Sequence, residues 1–253
     1  HVEVRWDSSC GRVLSERILR LDALILERSP LADPDPQQLV AAMLGGIRQL
    51  GLEALPWTPH CRALQQRLEL AHRHLGEPWP DRSLEWLNEQ LDTWLAPQLN
   101  GMRSQQDLQR LDLENALWGE LSWAQRQELE TVLPRGLAVP SGRTVPLDYS
   151  QGEAVLSVKL QEMFGCDGIT PLLQGQLPVT VELLSPAGRP VARTRDIGGF
   201  WASGYSDVRR ELRGRYPRHP WPEDPRDSQA TALTKAALAR RATATGEPTQ
   251  RRC

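Results

Sequence analysis

Eight arginines fall within thirty consecutive positions towards the end of the chain: Arg189, Arg193, Arg195, Arg209, Arg210, Arg213, Arg215 and Arg218. Tyr205, Tyr216 and Trp221 lie among or just beyond them. A guanidinium presents its donors as a planar fork that matches phosphate oxygens. One reading is therefore a surface for a nucleic-acid backbone, with Tyr216 and Trp221 as aromatic contacts beside it. The other is a solvated amphipathic face that pairs with acidic residues of the same chain. Charge distribution is compatible with both. Residues 188–253 hold 14 Arg or Lys against 7 Asp or Glu, whereas residues 1–187 hold 16 against 25. Lys159 and Lys235 are the only lysines, so the preference for arginine runs through the whole chain and also fits a codon bias.

Other chemistry is hard to assemble. A phosphate-binding loop needs Gly-Lys before Ser or Thr, and neither lysine follows a glycine. No GxSxG, HExxH or GxGxxG occurs. His60, Cys61, His72 and His74 are close in sequence, but His72 and His74 stand two apart on an expected helix and so face different ways. Glu223 and Asp224 are adjacent carboxylates in a proline-rich stretch, a setting for solvated turn residues. Cys10, Cys61, Cys166 and Cys253 have no metal or redox spacing, and reduced thiols in a cytoplasmic protein are expected. Most of the nine tryptophans sit at helical core positions (Trp94, Trp118) or beside proline (Trp57, Trp79). Trp201 and Trp221, which lie among arginines, remain open to packing or to ligand contact. No catalytic residue, metal site or cofactor site is expected within this chain.

The elements that must position the arginines can be read from periodicity. Residues 2–28 read as strands, too few to close a sheet alone, and are expected to complete a barrel begun upstream. The opening "HVEVRWD" suggests a piece of a longer protein. Asp35 and Pro36 have the types of a helix N-cap and first turn, followed by the stripe Leu39, Met43, Ile47, Leu50. Further stripes are Leu64, Leu68, Ala71, Leu75 over about 59–75, and Leu84, Leu87, Leu91, Trp94 after a Ser83 cap. Shorter helices fill 105–133. The period then changes. A hairpin is expected around Ser141-Gly142, a strand turning into a short helix over 153–165, and a second hairpin over 177–196 with Pro186 and Gly188 in its turn. A last helix spans about 197–213 with Trp201, Tyr205, Val208 and Leu212 in line. A break near Gly204 is expected, since Gly198, Gly199 and Gly204 each weaken it.

The fold class is thus α+β: a few barrel strands (1–32), a helical domain (33–134), a small mixed α+β domain (135–225) and a disordered tail (226–253). With 40% hydrophobic residues the chain can bury a core. No run is apolar enough to span a membrane. The segment "GRYPRHPWPEDP" (214–225) is not low-complexity, and its spaced prolines exclude regular helix. It is expected to pack extended across the body, anchored by Tyr216 and Trp221.

These same residues carry a resemblance. "SPAGRPVARTRDIGGFWASGYSDVRRELRGRYPRHPWPEDP" resembles the C-terminal end of the HrpB family, bacterial DEAH/DExH-type ATP-dependent helicases, with Ile197 where leucine is common. "GLEALPWTPHCRALQQRLELAHRHLGEPWPD" and "VPSGRTVPLDYSQGEAVLSVKLQEMFG" are similar to other stretches of that family, so the resemblance reaches about residue 235. It implies two RecA-like motor domains upstream that hold ATP and magnesium, a winged helix and a helical bundle, then a barrel ending in residues 1–30 here. It transfers no catalytic residue. The implied partners are single-stranded RNA or another nucleic acid and the motor domains themselves, with a protein-docking role as the alternative and no membrane insertion.

Overall fold

The structure, a computed structural model, describes residues 1–22 and 24–244, with side chains as far as Arg241. It divides into two compact units, His1–Leu129 and Glu130–Cys253. Residues 1–32 and the helices that follow them share the first unit.

In the first unit, β1 (Val2–Asp7), β2 (Arg12–Leu21) and β3 (Leu24–Pro30) form an antiparallel meander in that order. Val2 pairs with Arg17 and Asp7 with Arg12, and a register irregularity between Leu19 and Arg20 interrupts the second ladder. Trp6 of β1 is buried. Its indole lies where a Cβ on Gly46 of α1 (Pro36–Leu50) would stand, which is how the sheet approaches that helix. Leu19, Leu21, Leu24 and Leu26 remain exposed on β2 and β3.

The helices start where capping chemistry places them. Asp35 accepts from Gln37 N at 2.9 Å with Pro36 behind it. Thr58 accepts from Cys61 N at 3.1 Å at the head of α2 (Pro59–Leu75). Ser83 accepts from Trp86 N at 3.2 Å. The stripe of α1 buries Leu39, Met43 and Ile47, whereas Leu50 is 37% exposed at the last turn. The third helix is not continuous. Gln90, at φ −104° and ψ 31°, separates α3 (Leu84–Glu89) from α4 (Leu91–Trp94), although Leu87, Leu91 and Trp94 are still buried. α5 (Gln105–Leu108) and α6 (Leu113–Trp118) follow, and the unit ends at Leu129 within α7 (Trp123–Val132).

The second unit is built on a five-stranded mixed sheet of β4 (Gly136–Ala138), β5 (Thr144–Asp148), β6 (Ala154–Lys159), β7 (Val179–Leu184) and β8 (Pro190–Thr194), ordered as in the chain. Both expected hairpins are present. Gly142 (φ 83°) donates to Val139 O, and Gly188 (φ 78°) donates to Ser185 O at 2.9 Å, each in the left-handed conformation that glycine takes without strain. Between the hairpins, β6 and β7 run parallel from Ala154↔Val179 to Lys159↔Leu184. Parallel neighbours need a crossover. Residues 160–178 supply it with two 3-10 turns, Leu160–Met163 and Leu173–Gly175, and no α-helix. The sheet's buried face is aliphatic: Val145, Leu147, Leu156, Val158, Val181 and Leu183.

α8 (Ile197–Ser203) and α9 (Tyr205–Arg215) follow, parted at Gly204 as the sequence indicates. Of the stretch 226–253 expected to be a disordered tail, residues 226–244 have described structure. Thr231 donates to Gln161 O at 2.9 Å and α10 covers Lys235–Ala244. The last nine residues lie outside the described ones. Among the described residues no helix is long and apolar enough to cross a membrane.

The Trp6–Gly46 approach yields a test. Gly46→Ala gains about 1 kcal/mol of helix propensity but drives a Cβ into a rigid, buried ring, for which overpacking costs about 1–3 kcal/mol. Net destabilisation is expected in urea unfolding; a stabilised variant would show that the indole yields freely.

Candidate nucleic-acid interface

The arginines are held by three pieces of the second unit: the β7–β8 hairpin, helix α9 and the segment after it. Arg193 and Arg195, two apart on β8 and its extension, point the same way. They converge on one carboxylate, Glu153, at 3.1 Å each. Arg195 Nε also donates to Thr180 Oγ1, whose hydroxyl donates in turn to Glu153. Both arginines are more than half exposed, so these pairs are worth little in stability. They also leave one surplus positive charge on the shared carboxylate.

On α9, Arg210 pairs with Asp207 one turn back and Arg215 with Glu211 at 3.8 Å. Arg209 is less exposed. Its Nε donates to Trp221 O at 3.1 Å and its Nη2 stands 3.6 Å from Glu223. Arg189, in the hairpin turn, Arg213 and Arg218 are exposed, and their side chains have no acidic partner among the described residues. The partners found for the others, Glu153, Asp207, Glu211 and Glu223, all belong to this same unit.

The frame behind these arginines is an aromatic cluster closed by the proline-rich segment. Asp196 caps α8 by accepting from Gly199 N at 2.8 Å, and its carboxylate occupies the space a Gly199 side chain would need. A Cβ on Gly198 would come within 2.9 Å of Asp167 O. That accounts for the paired glycines despite their cost to a helix. Trp201 and Tyr205 then meet Phe164 at 6.1 and 6.2 Å between ring centroids, and each other edge-on at 5.6 Å. Trp201 Nε1 donates to Cys166 O at 2.6 Å.

After α9 the chain doubles back, and its carbonyls are taken up in turn. Gln161 Nε2 donates to Pro220 O at 2.8 Å, Arg209 to Trp221 O, Tyr205 OH to Pro222 O at 2.9 Å, and Gly165 N to Pro225 O at 2.9 Å. Proline has no N–H but keeps its carbonyl, so the strap's later carbonyls are fastened by donors from outside it. Gln161, Arg209, Tyr205 and Gly165 provide the donors. Trp221 is buried, its Nε1 donating to Tyr216 O at 2.9 Å. Its indole therefore serves as an anchor and is not open for base stacking. Tyr216 is half-buried and meets His219 edge-on. His219 is held below the ordinary histidine range by burial, then by the nearby charge of Lys159, and its Nδ1 has no hydrogen-bond partner among the described residues.

The remaining titratable candidates are dispersed. His60 Nε2 is 3.0 Å from Glu114 Oε1, His72 Nδ1 is 2.8 Å from Trp79 O, and Asp224 accepts from Arg226 N. Sequence reading missed Glu153, Gln161 and Glu162. Glu162 is a fully buried carboxylate that accepts from Ser141 Oγ at 3.2 Å and from Arg143 at 3.1 Å. No local signal marks these three, because their partners lie about twenty to sixty positions away.

Fold and site thus define an α+β unit that carries an arginine-bearing surface on a strapped aromatic frame. Residues 94–225 match the family model described as ATP-dependent helicase C-terminal, and the chain belongs to that HrpB C-terminal family. It is 40% identical over 234 residues to the ATP-dependent RNA helicase HrpB of Escherichia coli strain K12, covering 92% of this chain and 29% of that one. Among solved structures, it is similar to the crystal structure of the E. coli DExH-box NTPase HrpB, with a TM-score of 0.75 and 40% identity over 91% of this chain and 29% of that one. It is also similar to the crystal structure of the Escherichia coli DEAH/RHA helicase HrpB, with a TM-score of 0.64 and 38% identity over 87% and 28%. The chain spans less than a third of the length of these relatives.

Burial pushes the Tyr205 hydroxyl up to about 12, with Asp224 adding to the rise and Arg209 opposing it. A folded pKa raised above the unfolded value gives stability that is complete below the ordinary tyrosine value of 10.0 and is lost as pH rises towards about 12. Tyr205→Phe is expected to remove that alkaline loss. It should also cost about 1 kcal/mol at neutral pH for the bond to Pro222 O. Urea unfolding at a series of pH values measures both; an unchanged alkaline limb would place its origin elsewhere.

Proposed function

We propose that the second unit is a nucleic-acid-facing accessory surface of an ATP-dependent helicase, one that holds or guides single-stranded RNA, or another nucleic acid, relative to the motor. Upstream motor domains would bind ATP with magnesium and hydrolyse it, and this chain would contribute no catalytic group. A cytoplasmic setting accords with that role. The exposed leucines of β2 and β3 support reading residues 1–32 as the closing strands of a barrel whose other strands precede them.

The observation that carries the reading is the set of arginines not committed to carboxylates: Arg189, Arg213 and Arg218, together with Arg193 and Arg195 sharing Glu153. Exposed ion pairs such as those of Arg210 and Arg215 contribute about 0–1 kcal/mol, so a phosphate can replace their partners at little cost. Phosphate contacts of this kind give affinity without base preference. Arg209 and Trp221 act in the frame, the one fastening the strap and the other anchoring it.

A second reading, a docking module for a protein partner or for the motor itself, draws on a cavity of about 710 Å³ in the same unit. It is lined mainly by apolar residues, among them Pro134, Leu137, Val139, Met163 and Leu172.

The two readings separate in a salt titration of single-stranded RNA binding. The wild-type chain would be compared with the combined variant Arg189→Gln, Arg213→Gln, Arg218→Gln. Steep salt dependence is expected, with the slope reduced by about 0.7 for each phosphate that the variant no longer neutralises. Absence of binding at low salt by the folded chain would reject the nucleic-acid reading and favour docking.

A further inference from the structure

A second site belongs to the first unit. Arg82 is only 6% exposed. Its Nε donates to Leu117 O at 2.9 Å and its Nη1 to Asp81 O at 3.0 Å. Its Nη2 has no acceptor among the described residues. That nitrogen stands over Gly119, where a Cβ would come within 2.7 Å of it. Arg82 and Gly119 both line a cleft of about 570 Å³, walled also by Pro80, Trp86, Trp94 and Trp118. That nitrogen is the part of the guanidinium that the cleft reaches, so an acceptor entering the cleft can bond to it. Burial holds Arg82 below the ordinary arginine range, with Asp81 opposing the shift.

The walls indicate the rest of the ligand. The Arg82 guanidinium lies 5.0 Å from the centroid of the Trp86 ring, and that of Arg126 lies 5.2 Å from Trp118. At the cleft itself the Arg82 guanidinium and the half-buried Trp86 ring thus already meet, an arrangement that a flat heterocycle can extend. The charge around it limits how much anion is welcome. Glu120 lines the cleft, and the first unit, residues 1–129, carries a formal excess of acid, 19 against 13. A polyanionic strand is repelled there, whereas one phosphate on Arg82 is not.

We propose that this cleft is a mononucleotide site, in which a single phosphate accepts from Arg82 Nη2 and the base stacks against the half-buried Trp86. The cleft falls within the usual size range of small-ligand pockets, about 300–1,000 Å³. The site does not depend on the arginine surface of the second unit.

Calorimetric titration with AMP, adenosine and inorganic phosphate tests it. The combined Arg189→Gln, Arg213→Gln, Arg218→Gln chain is used so that the other arginines do not contribute. AMP is expected to bind about tenfold more tightly than adenosine or phosphate. Arg82→Gln should abolish the preference for AMP over adenosine. Trp86→Leu should weaken AMP and adenosine together and leave phosphate unchanged. Circular dichroism verifies folding, and if Arg82→Gln does not fold, Trp86→Leu decides. No AMP binding at millimolar concentration, equal binding of AMP and adenosine, or a Trp86→Leu chain that binds AMP as before would each overturn the proposal.

Discussion

The second unit depends on how a proline-rich segment, short of backbone donors of its own, is fastened. From Tyr216 to Pro225 the chain has four prolines, and neither helix nor sheet can use it. Its carbonyls are nonetheless taken up by Gln161, Arg209, Tyr205 and Gly165. Each donor does a second job. Gln161 and Gly165 lie in the crossover between the parallel strands, while Tyr205 and Arg209 set the packed face of α9. The strap therefore joins crossover to helix, and helix to the aromatic cluster of Phe164 and Trp201. The exposed arginines of α9 and its C-terminal turn are positioned by this frame, not by their own pairings, which are weak and solvent-exposed.

The first unit rests on more ordinary leucine packing, but its polar interior follows the same rule. Arg67 reaches Leu129 O at 3.3 Å, and Gln65 Nε2 donates to Arg82 O at 2.6 Å. Arg82 differs in that one end of its fork remains open to the cleft.

Local chemistry made much of this legible. Asp35 with Pro36, and Ser83, start helices because a side-chain oxygen before a first turn has few other uses. Gly142 and Gly188 mark hairpin turns because the turns need positive φ, and Gly204 marks the division between α8 and α9. The aliphatic stripes located the helices, apart from the interruption at Gln90, which no residue type announces. Non-local pairing was not legible. The parallel ladder of β6 and β7 leaves no turn between them, and its crossover contains no periodic helix. Glu153 looks like any surface acid until two arginines some forty positions later fold onto it. Trp221 could be recognised as an anchor through its proline setting, but a buried Arg82 cannot be told from a surface charge by type alone.

The strap has a consequence for the order in which the unit is made. A ribosome releases the crossover residues first, and the groups that secure them, Pro220, Pro225 and Thr231, come out roughly sixty residues later. Loop closure across such a separation must precede its reward. Until Thr231 has emerged, Gln161 lacks the residues it binds, and the parallel pair lacks the brace on its crossover. Closure of the second unit therefore waits on the residues beyond α9, and a nascent chain halted there would leave Gln161, Tyr205 and Arg209 without the carbonyls they bind.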